Sequence, residues 1–394
     1  MGKFIPHRPI IITANSSFYL IHYRKLLIKK LSKKNNLVTI SPKDFSTKQL
    51  SKLSVNLPWR IDRSKDRNLS SFFLSLLRML FLVRAVKPKL IHSHTLRTNL
   101  IIAIVCSFYG IPCILSFTGL GLLSKDNSSS LLFKIVLKTI MFFSVHERKG
   151  IFRWQKSYKR SRFIFQNKND KFIFTSTNKN SEFLSNVIFG SGIPKEYFSK
   201  KFNTSNWTKI NPLQFNAKLQ FIFCARLLVS KGIKTFIELS KSFPEHDFII
   251  FGEFDYSSKD SINKKEFLDL CENKNITFKG HQKNPLLKNK YQNPVLIVPS
   301  YYGEGLPRAI LEAFSLKIPV ICSKQATINL FTKKELYIVD YKGYSYYYSA
   351  LKKFIIDSKN GKVKKKINKA FRLSKNFSEE KIVSQTQSLY EQLL

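Results

Sequence analysis

Residues 295–312 read VLIVPSYYGEGLPRAILE. Val295 to Val298 is a short, wholly apolar run, the pattern of a strand buried on both faces in a parallel sheet. Pro299 to Leu306 reads as loop, with Gly303 and Gly305 allowing close backbone approach. Pro307 then suits the first turn of a helix that runs through Glu312. A strand that passes through a glycine-containing loop into a helix N-terminus makes an anion site, because free amide groups and the helix dipole converge there. The chain has 67 Lys+Arg and only 25 Asp+Glu, yet Glu304 and Glu312 both flank this turn. Carboxylates grip hydroxyl groups, so the fitting ligand combines hydroxyls, phosphate and more hydroxyls. That is a nucleotide sugar, with its hexose at Glu304, its diphosphate at Gly303, Gly305, Leu306 and Pro307, and its ribose near Glu312. The spacing of two glutamates is a weak sign alone; the strand–loop–helix context carries it.

Outward from this stretch, strands and helices alternate. Leu219–Ala225 is a strand, Gly232–Lys241 a helix, and Asp247–Phe251, Ile276–Phe278 and Val295–Val298 are strands ending at Gly252, Gly280 and Pro299. A diphosphate also needs cations, and the segment after the first of these strands offers Arg226, which can fork onto phosphate oxygens, and Lys231, a point charge at another helix start. The first half alternates too. Ile10–Thr13 is an apolar run ending at Asn15-Ser16-Ser17, followed by a helical pattern from Tyr19 to Leu31. A strand at Leu37–Ile40, a helix at Ser70–Val86 and a strand at Lys89–His92 come next. Strands separated by helices imply parallel sheets with crossover helices. Ligands of such sheets sit at the strands' carboxyl ends, making the loops Asn15–Ser17, His92–Arg97 and Thr118–Gly121 candidate site walls.

The reading is therefore α/β, with residues 1–202 as a first domain, 203–216 as a polar linker and 217–374 as a second domain. Residues 375–394 form a terminal helix, capped by Ser378, whose apolar stripe can pack back on the first domain. Composition agrees with a folded chain, since 43% of the 394 residues are hydrophobic and 35 are Phe. Five cysteines, odd in number and widely spaced, suggest buried thiols in a reducing compartment and argue against a disulfide framework or a zinc site. The N-terminus has too short an apolar run for a signal peptide, and Pro6 spoils a myristoylation pattern, so a cytoplasmic location is expected. Thr98–Leu123 carries no charge and is long enough to cross a bilayer. Gly110-Ile111-Pro112 interrupts it, however, and a helix, a tight turn and a buried strand account for its features.

The net charge of +42 favours phosphate-rich partners: nucleic acid, anionic lipid or phosphorylated ligands. Residues 1–200 hold 35 basic against 8 acidic residues, so the first half is the more basic one. Segments 69–86 and 131–143 are apolar with sparse Arg or Lys, and either core packing or contact with a membrane interface explains them. No RRM, KH, zinc or helix-turn-helix signature accompanies the charge, which argues against a nucleic-acid partner.

The set CARLLVSKGI, ITFKGH, VLIVPSYYGEGLPRAILEAFSLKIPVI and NFSEEKIVSQTQSLYEQLL resembles glycosyltransferase family 4, retaining enzymes of GT-B fold. TANSSFYLIHYRKLLIKKL, IHSHTLR and SFTGLG look most like members that extend sugars on undecaprenyl diphosphate. The resemblance implies two Rossmann-like domains facing across a cleft. It implies a hexose or N-acetylhexosamine moved from a nucleotide sugar, UDP-linked by expectation, to a lipid-diphosphate-linked saccharide in surface polysaccharide, O-antigen, capsule or glycoprotein glycan assembly. In the catalytic set are His94, which matches the histidine that meets the transferred sugar, and Glu304. Donor binding falls to Arg226, Lys231, Gly280, His281, Gln282, Gly303, Gly305, Leu306, Pro307 and Glu312. Asn15, Ser16, Ser17, Arg24, Thr118, Gly119 and Gly121 lie on the acceptor side. His92 is read as pointing to the opposite face of the strand from His94. No metal or other cofactor is implied. Front-face transfer, with the departing diphosphate helping to deprotonate the acceptor, is the implied mechanism, and peripheral attachment to the inner face of the cytoplasmic membrane is expected. Asn15-Ser16-Ser17 replaces the usual glycine pair, Gly252 stands where many relatives have two glycines, and residues 322–329 lack the usual glycine and glutamate. The alternatives are a lipopolysaccharide-core or other transferase with a non-polyprenyl acceptor, an inactive scaffold and a basic nucleic-acid-binding protein.

Overall fold

The computed structural model describes residues 7–59, 61, 69–120, 127–145, 161–176, 179–199, 218–256, 258, 260–288, 290–301, 306–327, 329–340 and 342–394. The chain divides into two compact units, Met1–Gly192 together with Glu379–Leu394, and Ile193–Ser378. The first unit thus ends at Gly192 rather than at residue 202, and residues 203–216 lie outside the described residues.

In the first unit the strands are β1 (Ile10–Thr13), β2 (Leu37–Ser41), β3 (Val55–Pro58), β4 (Leu90–His94), β5 (Cys113–Phe117), β6 (Ser161–Phe165) and β7 (Ser185–Val187). They pair in parallel in the order β3-β2-β1-β4-β5-β6-β7. The helices are α1 (Ser17–Tyr23), α2 (Lys25–Ser32), α3 (Thr47–Leu50), α4 (Leu69–Val86), α5 (Leu96–Tyr109), α6 (Asn127–Val145) and α7 (Lys168–Thr175). The helical pattern of residues 19–31 is thus two helices, broken at Arg24, whose backbone leaves the helical region (φ −132°, ψ 8°). The uncharged run after Arg97 divides into α5, a turn at Gly110 and β5. No helix among the described residues is long and apolar enough to cross a membrane.

Alternation along the strands sorts the core into two layers. Ile11, Val38, Ile91 and Leu115 face α4, α5 and α6. Ile10, Ile12, Leu90 and Ile114 face α1, α2 and a terminal helix, Glu379–Glu391, which buries Ile382, Val383, Leu389 and Tyr390 in this layer. Each such side chain contributes roughly 1.5–3 kcal/mol on burial. His92 and His94 correct the sequence reading: residues two apart share a face of a strand, and the two rings lie 4.2 Å apart.

The second unit repeats the plan. Its strands β8 (Gln220–Cys224), β9 (Asp247–Phe251), β10 (Ile276–Phe278), β11 (Pro294–Val298), β12 (Val320–Ser323) and β13 (Tyr337–Val339) are all parallel, in the order β10-β9-β8-β11-β12-β13. Helices α8 (Ile233–Ser242), α9 (Lys264–Leu270), α10 (Pro285–Lys288), α11 (Arg308–Ser315), α12 (Tyr344–Lys359) and α13 (Lys362–Ser374) accompany them; the terminal helix of the first unit is α14. In both sheets the strand order reverses beside the first strand, between β1 and β4 and between β8 and β11. Those switch points are where open parallel sheets bind ligands.

Candidate functional site

A cavity of about 220 Å³ opens at the β8/β11 switch point. Ala225 and Arg226 follow β8 into it, Ser300 follows β11, and Lys231, Pro307 and Arg308 complete the polar wall. Two glycines allow this packing. Gly232 sits at φ +80°, and a Cβ there would collide with the Pro299 carbonyl; one on Gly252 would collide with the Ala225 carbonyl. Asp260 fixes the turn before Gly232, accepting the Ser230 backbone N–H at 3.1 Å and the Ser230 hydroxyl. Ser230 in turn accepts the Tyr301 N–H at 3.1 Å, which ties this turn to the loop after β11.

The cavity's charge is cationic. Arg226 is half exposed and donates to Asp255 at 2.5 Å. Burial, with the Glu312 carboxylate adding to it, pushes the Cys224 thiol up to about 12, so that wall stays uncharged. Arg308, which the sequence reading passed over, lines the cavity and donates from Nε to Glu312 at 2.6 Å. Glu312 is therefore buried and gripped by Arg308 one turn earlier, instead of standing open to a ribose. The i,i+4 spacing of the pair was the available signal. Pro307 sits immediately before α11, so that helix starts at the cavity. The Gly280 carbonyl accepts the Gly252 N–H at 3.0 Å, and His281 is exposed, 3.9 Å from Glu253. Gly280, His281, Gln282 and Leu306 do not line this cavity. Gly303, Glu304 and Gly305 lie outside the described residues.

At the β1/β4 switch point of the first unit the chemistry is different. Ser16 caps α1 by accepting the Tyr19 N–H at 3.0 Å. Ser17 is fully buried, its hydroxyl donating to the Pro42 carbonyl at 2.8 Å beside Ser41 and Thr47, which gives it a packing role after β2. Arg24 is buried as well, donating to the Tyr19 hydroxyl at 3.0 Å and to the Gly190 carbonyl at 3.3 Å, with Nε unpartnered. Asn15 and Thr118 are half-buried and Gly119 is exposed; Gly121 lies outside the described residues.

His94 ends β4 wholly buried, and neither ring nitrogen has a hydrogen-bond partner among the described residues. Such a buried, unmet hydrogen-bonding capacity is unusual and calls for a physical reason. The Tyr19 ring is 5.3 Å away. Burial, then His92 and Arg24 nearby, hold the His94 imidazole well below the ordinary histidine value, so it is neutral at pH 7. Thr95, the next residue, has φ +76° and ψ 148°, a region that a β-branched residue occupies only under strain, of order 1–3 kcal/mol. Its N–H reaches the Ser116 carbonyl at 3.2 Å, which also accepts from Asn99 Nδ2 at 3.0 Å.

Comparison with known proteins follows the same division. A model described as Glycosyl transferase 4-like matches residues 10–146, and one described as Glycosyl transferases group 1 matches residues 205–372. An uncharacterized glycosyltransferase of Methanocaldococcus jannaschii is 33% identical over 140 residues, 34% of this chain; the match spans only 33% of that relative's length. The capsular polysaccharide biosynthesis glycosyltransferase CapM of Staphylococcus aureus is 25% identical over 318 residues, covering 79% of this chain and 77% of CapM. Among solved structures, HepE of Anabaena in complex with UDP matches with a TM-score of 0.73 at 14% identity, over 98% of this chain and 100% of that one. The two parallel-sheet units are thus those of the GT-B architecture.

Proposed function

We propose that this chain, a glycosyltransferase of GT-B fold, moves a hexose or N-acetylhexosamine from a UDP-sugar to a lipid-diphosphate-linked saccharide during surface-glycan assembly, with retention at the anomeric carbon. One observation carries the donor half of this reading: Arg226, Lys231 and Arg308 line one cavity at the switch point of the second sheet, at the N-terminus of α11. Cations and a helix dipole stabilise the charge that develops on a departing diphosphate, so the reading needs no metal. The UDP bound in HepE supports uridine as the base, and the capsular role named for CapM supports a surface glycan as the product. Glu304 holds the donor sugar, with Gly303 and Gly305 before the phosphates. Neutral His94 supplies a hydrogen-bonding group to the transferred sugar without adding charge, and the departing diphosphate helps deprotonate the acceptor.

Support for a lipid-linked acceptor at a membrane surface comes from the first unit. Phe73, Leu74, Leu77 and Phe81 on α4, and Ile135 and Phe142 on α6, are exposed. Neither helix carries an acidic residue, while Arg78, Arg84, Lys134 and Lys138 do carry positive charge. A second cavity, of about 840 Å³, has Trp59 and Ile61 as an apolar floor beside Phe81, with Lys43 and Arg78 also lining it. An apolar chain with a diphosphate head matches that combination.

The test combines flotation with transfer. Purified protein should float with vesicles containing anionic phospholipid, and should move label from one of UDP-glucose, UDP-galactose or UDP-N-acetylglucosamine to a polyprenyl-diphosphate-linked sugar in those vesicles. Transfer to a water-soluble saccharide with no label in the lipid fraction would overturn the acceptor assignment.

A further inference from the structure

Three groups meet behind His94 from distant parts of the chain. His92 Nδ1 lies 2.6 Å from the Tyr390 hydroxyl of α14, and His92 Nε2 lies 2.7 Å from the Ser116 hydroxyl of β5. Both ring nitrogens of His92 are therefore engaged with hydroxyls, one as donor and one as acceptor if the ring is neutral, which fixes the ring plane. That fixed ring rests against His94 with a centroid separation of 4.2 Å, while His94 has no hydrogen bond among the described residues to set its own orientation. Ser116 also holds the other side of the site, because its carbonyl receives the N–H of strained Thr95 and the Asn99 amide. Tyr390 is buried and lies 298 residues from His92 in sequence.

We infer that Tyr390 and Ser116, acting through His92, are positioning residues for His94, so that α14 is a working part of the acceptor-side site as well as a cover for the sheet. The inference rests on the reading of His94 given above. The groups that face the histidine pair are Tyr19 from α1, Arg24 between α1 and α2, Ser116 from β5 and Tyr390 from α14. Arg24 faces the pair as a fixed cation, which favours two neutral rings. A neutral His92 needs its hydroxyl partners to select a tautomer, and that selection sets the surface it presents to His94.

Tyr390→Phe removes one hydroxyl and keeps the packed ring, so it separates positioning from covering. Turnover is read as UDP release from whichever of UDP-glucose, UDP-galactose and UDP-N-acetylglucosamine the full-length protein consumes. Expected are a kcat at least tenfold lower, a donor KM within twofold, a nearly unchanged melting temperature, and altered imidazole ¹⁵N shifts for both His92 and His94. Ser116→Ala should act in the same direction. In a His94→Gln background, Tyr390→Phe should lower kcat no further, since the hydroxyl acts through His94. Leu389→Ala, a packing change on α14, should lower the melting temperature and leave the ¹⁵N shifts of the pair in place. Wild-type kcat and ¹⁵N shifts in Tyr390→Phe, in a protein that His94→Ala inactivates, would overturn the inference. Full activity in His94→Ala would overturn the catalytic reading of that residue first, and the inference with it.

Discussion

The two units share a strand order and differ in what they place at its reversal. At the β8/β11 point stand three cations around an open cavity, with turns held by Asp260 and by close glycine contacts. At the β1/β4 point stands a buried neutral histidine pair beside a strained threonine. On the proposed reading, the first takes a charge that arrives with the ligand, and its cationic lining suits that role. The other holds its histidine pair neutral, and its buried His94 ring has no hydrogen-bond partner among the described residues. The parallel sheet supplies the location in both cases, and the residues after each strand supply the chemistry.

Changes that touch only one point should divide the functions. His94→Ala should lower transfer about 100-fold or more, the order seen when a group aimed at the reacting centre is removed. UDP affinity measured by calorimetry should stay within twofold, because the proposed function assigns the nucleotide to the other point. A parallel loss of both would break the comparison.

Gly232→Ala should destabilise the second unit by about 2 kcal/mol, through a left-handed backbone and the collision with the Pro299 carbonyl. Chemical denaturation should show this as a lower midpoint, accompanied by weaker UDP binding.

Acid should act mainly through the histidine pair. Burial holds both imidazoles well below the ordinary value of about 6.5, so as pH falls through that value the unfolded chain takes up protons that the fold refuses. Stability is then full above about pH 6.5 and declines below it, by at most about 1.4 kcal/mol per pH unit for each imidazole. His246 in the second unit is lowered by burial too and adds to the slope. Melting curves from pH 7 to 5 should therefore flatten, without becoming level, in a His92→Gln/His94→Gln double variant.

The smallest effect expected is at Thr95. Thr95→Gly relieves the backbone and should raise stability by about 1 kcal/mol or less, since the flexibility of glycine offsets part of the relief. Transfer should fall, because the turn that follows His94 loosens. A gain in both would show that the strain serves no purpose.

Most of this was legible where local chemistry decides structure. VLIV, Gly252, Gly232 and Pro307 state a strand, a strand end and two helix starts within a few residues, whereas the close approach of the two glycines to neighbouring carbonyls appears only in the fold. Their placement in the second unit follows from that. The strands at Val55–Pro58, Ser161–Phe165, Ser185–Val187 and Tyr337–Val339 were not read, being short runs whose strand character comes from pairing with a neighbouring strand. Arg308 carries no local mark of a cavity residue beyond its i,i+4 spacing to Glu312, the carboxylate it pairs with. The shared face of His92 and His94 is legible in the sequence, because residues two apart on a strand point the same way. Tyr390 is a different case: no local spacing joins residues 298 apart, and only the fold brings that hydroxyl to the imidazole.

The most direct test of the central claim, that the second unit's cavity takes the nucleotide diphosphate, is calorimetric titration of UDP into the wild-type protein and into Arg226→Ala and Lys231→Ala. Each cation removed should weaken binding about 10- to 100-fold, corresponding to roughly 1.5–3 kcal/mol for a charge-assisted contact. Unchanged UDP affinity in both variants, with the protein folded, would contradict the account.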